Sequence, residues 1–329
     1  MIALLRRVVL VSLLGLTTFA IAADAQQAKV PRLGILDQDA PPTPGSRNTF
    51  RDMMRELGYI YGQNLIVEER FAEGRNERFP SLAAELVALK PDVILADSTP
   101  GAIAAMHATA TIPIVIVNVS DPVGSGLVAS LARPGGNITG VTGFPFEMAE
   151  KFVELVHVIV PKATRIAVLM SDHPVHPSHL KVIQAAAKTI GLTVLPTMAR
   201  SPENFEEAFA SMAKQDAQAL LVLAGAPFDN THREWAKIVE LAARTKLPTL
   251  YTARQFAEAG GLLSFSPNRW LKWRLTAGYV DKVLKGAKPA DLPVEQPSVF
   301  DLVINLKTAK ALGLTIPQSI LLRADEVIQ

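Results

Sequence analysis

"LVALKPDVILADSTPGAIAAM" (86–106), followed by "TIPIVIV" (111–117), reads as a helix, a buried strand, a polar loop, a second helix and a second buried strand. The strand candidates are continuous apolar runs rather than alternating ones, which suits strands covered on both faces of a parallel sheet. About 125 residues later "MAKQDAQALLVLAGAPFDN" (212–230) and "KLPTLYT" (246–252) repeat the same order. Further apolar runs extend the alternation: "RLGIL" (32–36), "LIVEER" (65–70), "RIAVLM" (165–170) and "LTVLP" (192–196). Strand and helix in strict alternation, stated twice, predict an α/β chain of two doubly wound, Rossmann-like lobes.

Helical spacing supports the elements between the strands. Phe50, Met53, Met54 and Leu57 fall on one face behind a cap at Ser46, and Gly58 stops the run. Ser201-Pro202 opens another helix, with Phe205, Ala208, Phe209 and Met212 on its apolar face. The cluster "GVTGFPFEM" (140–148) marks a boundary between lobes. The last 65 residues hold an amphipathic helix (268–286), a Pro-punctuated extended segment (293–305) and a short helix ended by Gly313. They are too few for a third domain, so they are expected to cross back between the lobes. The expected division is 29–143 with 267–292 for the first lobe, and 144–266 with 293–329 for the second. Trp270 and Trp273, spaced i, i+3, are expected to pack against a lobe.

The bulk numbers narrow the function. The chain has 329 residues, 33 basic and 31 acidic, for a formal charge of +2. No basic block exists that could neutralise a row of phosphates, so nucleic acid is not an expected partner. Residues 1–25 form a basic start, an apolar stretch and small residues at Ala23–Ala25, the pattern of a cleaved signal peptide. The apolar stretch is short for a membrane span. The mature chain is therefore expected to be periplasmic and not membrane-embedded. Cysteine is absent, which in a chain with this much apolar material does not argue against export.

Two cofactor motifs are near misses. Gly124, Gly126 and Ala129 spell the dinucleotide-binding G-x-G-x-x-A, but any helix after Gly126 could run only from Leu127 to Ala132 before "RPGGN" ends it. Gly135, Gly140 and Thr142 fit a phosphate loop except that Val141 stands where its lysine belongs. No cofactor is expected, and the glycines read as a turn that lets backbone approach a ligand.

What does recur is a polar cluster just past the C-terminal ends of strands: "ADSTPG" (96–101), "VSDPVG" (119–124), "MSDHPVHPSH" (170–179) and "AGAPFDN" (224–230). Open α/β sheets bind ligands at this edge, where helix N-termini offer free N–H groups. Thr99 before Pro100 reads as a helix cap; with Ser98 its hydroxyl could hold a carboxylate, and Asp121 a cation such as an α-ammonium. Ser171, His173 and Asp229 are the candidates on the second lobe. Each of Thr99, Asp121 and Asp229 taken alone reads more readily as a local helix cap. His173, His176 and His179 have metal-like spacing, but Pro174 and Pro177 make the segment irregular and only Asp172 adds a carboxylate. A ligand contact from His173, and no metal site, is the expectation.

Four longer stretches, "SRNTFRDMMRELGYIYGQNLIVEERFAEG", "DPVGSGLVASLARPGGNITGVT", "FAEAGGLLSFSPN" and "LVINLKTAKALGLTIPQSILLRADEVI", resemble the ABC transporter substrate-binding proteins of the tryptophan/tyrosine-binding-like group. The resemblance covers nearly the whole mature chain. It implies a type 1 periplasmic-binding fold, with three crossovers and a small molecule clamped between the lobes, and an ABC permease as partner. It also supports placing Ser98, Thr99 and Asp121 at the cleft and suggests an amino acid or related carboxylate as ligand. The second lobe departs from the family pattern, with "SDHPVHPS" where relatives carry an Asn-Pro-type loop. Two other readings stay open. One is an α/β enzyme, for which His173 with Asp229 or Asp121 is the available dyad. The other is a solute sensor for a membrane kinase.

Overall fold

The computed structural model describes residues 29–41, 49–143, 145, 147–223, 225, 228 and 232–329. The signal-peptide segment 1–25, the Ser46 cap and Asp229 lie outside the described residues. Among the described residues no helix is long and apolar enough to cross a membrane.

The first sheet has the order β2-β1-β3-β4-β5, with every neighbouring pair parallel. Its strands are β1 (Arg32–Asp37), β2 (Ile66–Phe71), β3 (Val93–Asp97), β4 (Ile114–Val119) and β5 (Ile138–Thr142). Successive side chains alternate between two cores, as the two-residue period of a strand requires. Leu33, Ile35, Val93, Leu95, Val115 and Val117 pack with Phe50, Met53 and Met54 of α1 (Thr49–Glu56). Leu36, Ile94, Ala96, Ile114 and Ile116 pack instead with α2 (Phe79–Ala88) and α3 (Thr99–Ala108). Both faces are dry, which is why the strands read as unbroken apolar runs.

The second sheet has the order β12-β11-β10-β9-β8-β6-β7. Here α4 (Glu147–Ile159), β6 (Arg165–Met170), α5 (His176–Thr189), β7 (Thr193–Met198), α6 (Phe205–Lys214), β8 (Ala219–Val222), α7 (His232–Arg244), β9 (Thr249–Tyr251), α8 (Arg254–Glu258) and β10 (Leu263–Pro267) follow in turn. Phe152, Val156 and Ile183 cover one face, and Phe205, Phe209, Ile238 and Phe256 the other. β7 is an edge strand and carries Pro196, a residue that cannot donate to a central ladder.

The chain passes between the sheets three times. It leaves the first sheet after β5. It returns after β10 as α9 (Arg269–Leu284), whose Ala277, Tyr279, Val280 and Val283 join the α1-side core of the first lobe. It then goes back as β11 (Phe300–Asn305), antiparallel to β10, followed by α10 (Leu306–Ala311), α11 (Gln318–Leu321) and β12 (Glu326–Ile328). The last passage comes later than residue 293. Val294 is buried in the first lobe, its N–H bonded to the Leu131 carbonyl, and Glu295 pairs with Val141. An apolar side chain after Pro293 belongs to whichever core is nearest, and there that core is the first lobe's.

The segment after Gly126, read as a turn, does turn and bend until β5 begins, with no helix in it. Two local expectations are corrected. The Ser201-Pro202 start is a short 3-10 turn (Pro202–Asn204), and the α-helix proper begins at Phe205. Trp273 packs against Phe50 with ring centroids 5.7 Å apart, but Trp270 is 47% exposed with Arg274 over its ring. A spacing of three residues turns a helix by about 300°, which leaves room for one ring to face the core and the other solvent.

Candidate functional site

In the first lobe the C-terminal edge of the sheet brings together the ends of β1, β3, β4 and β5. At the end of β3 the cap is Ser98 rather than Thr99. Ser98 takes φ 68, ψ 161, a backbone conformation side chains rarely adopt, and its Oγ accepts from the Gly101 N–H at 3.4 Å. Thr99 thereby becomes the first helical residue, with Pro100 next. Its hydroxyl is fully buried and has no partner within the protein. Thr142, the last residue of β5, is in the same condition.

Asp121 sits in the loop after β4. Its Oδ1 accepts from the Gly124 N–H at 2.7 Å. A Cβ on Gly124 would lie 2.0 Å from Asp121 Oδ2, so the glycine makes room for this carboxylate rather than for an approaching pyrophosphate. Gly124→Ala is expected to swing Asp121 away, break that bond and cost ~1 kcal/mol, measured by urea denaturation. An unchanged midpoint would show that the carboxylate is not held there.

The edge also holds charged groups that the strand pattern concealed. Asp37 and Asp97 end adjacent parallel strands on the same face. The Asn118 amide donates to Asp97 Oδ1 at 2.8 Å, and Lys272 of α9 donates to Asn118 Oδ1. Burial, and then the neighbouring Asp37, push Asp97 up to about 7. Burial likewise raises Asp37 above the ordinary carboxylate range, and Glu69 on β2 is raised by burial and by Asp37. An Asp at the end of "VILAD" and an Asn inside "IVIVNV" were visible as polar interruptions of apolar runs. Nothing in the sequence paired them with Lys272, 154 residues away from Asn118.

In the second lobe, Ser171 and His173 follow β6 directly. The Ser171 N–H donates to His176 Nδ1 at 2.9 Å, and the Ser171 hydroxyl accepts from the His173 N–H at 3.2 Å. His176 stacks on Phe228, with planes within 8°. His173 is buried against His176, ring centroids 5.0 Å apart, and Gly225 of the loop after β8 closes over it. Its Nδ1 has no partner within the protein. Burial above all, then His176 and His179, lower its pKa to about 3, so its ring is neutral at any physiological pH. Among the described residues no group of three His, Cys, Asp or Glu is placed to hold a metal.

The structure thus puts Ser98, Thr99 and Asp121 at one sheet edge and Ser171 with His173 at the other. A shallow apolar groove lined by Val239, Leu247, Tyr251 and Leu312 opens at the N-terminal ends of β9 and β10, away from these residues.

The comparisons with known proteins bear on most of the chain. The family model described as ABC transporter substrate binding protein matches residues 39–328. A tyrosine-binding protein of Clostridioides difficile (strain R20291) is 29% identical over 277 residues, covering 83% of this chain and 78% of that protein. Among solved structures, a conserved domain protein from Vibrio cholerae O1 biovar El Tor is 28% identical with a TM-score of 0.83, covering 91% of this chain and 100% of that one. An ABC domain from Streptococcus pneumoniae in complex with L-Trp is 29% identical with a TM-score of 0.81, covering 91% and 99%. The ligand-free, open substrate-binding protein CD0873 from Clostridium difficile is 26% identical with a TM-score of 0.66, covering 91% and 100%. The two α/β lobes have the type 1 periplasmic-binding fold.

Proposed function

Since the chain belongs to the ABC transporter substrate-binding protein family, we propose that it is exported, captures an amino acid or related carboxylate between its lobes, and delivers it to an ABC permease. The observation that carries this reading is the pair of buried polar atoms without protein partners, Thr99 Oγ1 in the first lobe and His173 Nδ1 in the second. Buried polar groups in native proteins are paired, and leaving one unpaired costs on the order of 1–3 kcal/mol. Two such groups, each at the C-terminal edge of a sheet and each flagged by its loop sequence, favour a solute that pairs with both.

The roles follow from chemistry. Ser98, Thr99 and the first amides of α3 suit a carboxylate, because a helix N-terminus carries free N–H groups and the positive end of the dipole. Asp121 offers its second carboxylate oxygen to a cationic group. His173, kept neutral, gives a donor or an acceptor without charge, and Ser171 fixes its backbone. Asp229, four residues after Gly225 in the sequence, is proposed to complete that side. Ligand first bound to one lobe would be enclosed as the other swings about the crossovers, and the closed form is what a permease can recognise.

Native mass spectrometry of the purified protein, then thermal-shift titration with L-tryptophan and L-tyrosine, tests the reading. A saturable rise in melting temperature is expected, with the amino acid recovered unchanged. Thr99→Val should leave the ligand-free protein as stable or ~1 kcal/mol more stable, and should weaken binding about tenfold. Asp121→Ala should abolish the shift. Equal affinities in the parent and both variants would remove these residues from the site.

A further inference from the structure

We propose that Asn118 is a positioning residue, a two-ended clamp that locks the ligand-edge loops after β3 and β4 to helix α9. The inference rests on the solute-binding reading above. Asn118 has φ 58, a left-handed conformation that Asn tolerates better than most residues. It lies where the β4–β5 register shifts, between Ile116 and Val119. Gly143 passes so close that a Cβ there would sit 2.8 Å from the Asn118 carbonyl carbon. With its backbone hemmed in, the side chain reaches two ways. Nδ2 donates to Asp97 Oδ1, and Oδ1 accepts from Lys272 Nζ.

The three residues stand on three different elements, and each leads to something that matters for capture. Asp97 runs directly into Ser98 and Thr99. Asn118 precedes Asp121 by three residues. Lys272 is in the first turn of α9, whose capping residue Asn268 lies on the second crossover. The Asn268 side chain accepts from the Leu271 N–H and donates to Asp301 of β11, in the second lobe. A movement of α9 during lobe closure is therefore passed through Lys272 to Asn118 and on to both loops.

The Asn118–Asp97 bond is charge-assisted only while Asp97 is ionised, and charge-assisted bonds are about twice as strong as neutral ones. The charged groups that act on Asp97 are Asp37 of β1 and Lys272 of α9; Asp37 acts in turn on Glu69 of β2, which also feels the Arg51 cation of α1. Tyr61, with Arg51 over its ring, also feels the Glu69 charge. Asp37 and burial hold the Asp97 proton on, while Asn118 and Lys272 favour its loss. Asp97 titrates near neutral pH, so the clamp is tight above that range and slack below it.

The test uses the purified protein with L-tryptophan and L-tyrosine as probes. NMR of the Asn118 side-chain amide across pH 5–9 should show one titration step near pH 7. Lys272→Met should move that midpoint to higher pH, and Lys272→Arg should restore it. Affinity for a bound probe should fall about fivefold between pH 8 and pH 6, and Asp97→Asn should flatten that dependence. An amide resonance insensitive to pH, or a midpoint unmoved by Lys272→Met, overturns the clamp. If neither amino acid binds while the amide titrates as described, the clamp stands and the amino-acid reading falls. If they bind with a flat amide profile, the reading stands and the clamp falls.

Discussion

Gly140→Ala is expected to lose about 4 kcal/mol or more of stability, enough to leave the protein largely unfolded or insoluble near physiological temperature. Gly140 is the third residue of β5, paired in register with Ile116 of β4. Its φ of 137° is one that L side chains rarely adopt. A Cβ there would lie 2.3 Å from the Ile116 carbonyl oxygen and 2.6 Å from the Ile116 nitrogen. Both are backbone atoms of a central strand, so neither can rotate aside, and β5 would have to leave the sheet. That loss reaches beyond one strand. β5 buries Val141 in the α1-side core, pairs with Glu295 and leads into the first crossover. Urea denaturation checks it, with Gly136→Ala as comparison, because a Cβ at Gly136 meets nothing within 4 Å. A Gly140→Ala midpoint matching that of Gly136→Ala would disprove the close approach.

The second large effect is on pH dependence. The folded protein keeps the Asp97 proton up to about pH 7, against an ordinary value of 3.8. Between those limits the native state binds more protons than the unfolded state. Stability therefore falls as pH rises from about 4 to about 7 and levels off above. Asp97→Asn removes the ionisation while keeping an oxygen to accept from Asn118. Little difference from the parent is expected at pH 4.5, and a gain on the order of 2 kcal/mol at pH 8. Asp37, also raised by burial, leaves a residual slope in the variant. Denaturation curves at the two pH values read this directly. If the parent and Asp97→Asn respond to pH in parallel, Asp97 is not the titrating group.

How much was legible beforehand depended on how local the cause was. The unbroken runs "VILA", "IVIV" and "AVLM" are strands because Val and Ile suit an extended chain, and burial on both faces removes any need for alternation. Phe50, Met53 and Met54 declared the buried face of α1 by spacing alone. The polar loops after strands could be placed at one edge because every strand of a parallel ladder points the same way. Shorter elements were less visible. β5 hides in "ITGVT", a Gly-interrupted stretch that reads as a linker until Ile116 is placed beside Gly140. β12 is three residues whose partner β11 lies more than twenty positions earlier.

The alternation of strand and helix, the two-lobe plan and the loops that carry Ser98, Thr99, Asp121, Ser171 and His173 were written in the chain itself, because hydrophobic period and turn chemistry act over a few residues. Which of two adjacent hydroxyls caps α3, which tryptophan is buried, and how Lys272 comes to hold Asn118 against Asp97 were decided only by the tertiary fold. Those outcomes depend on distances between atoms far apart in sequence. Such distances exist only once the sheets and crossovers have closed around them.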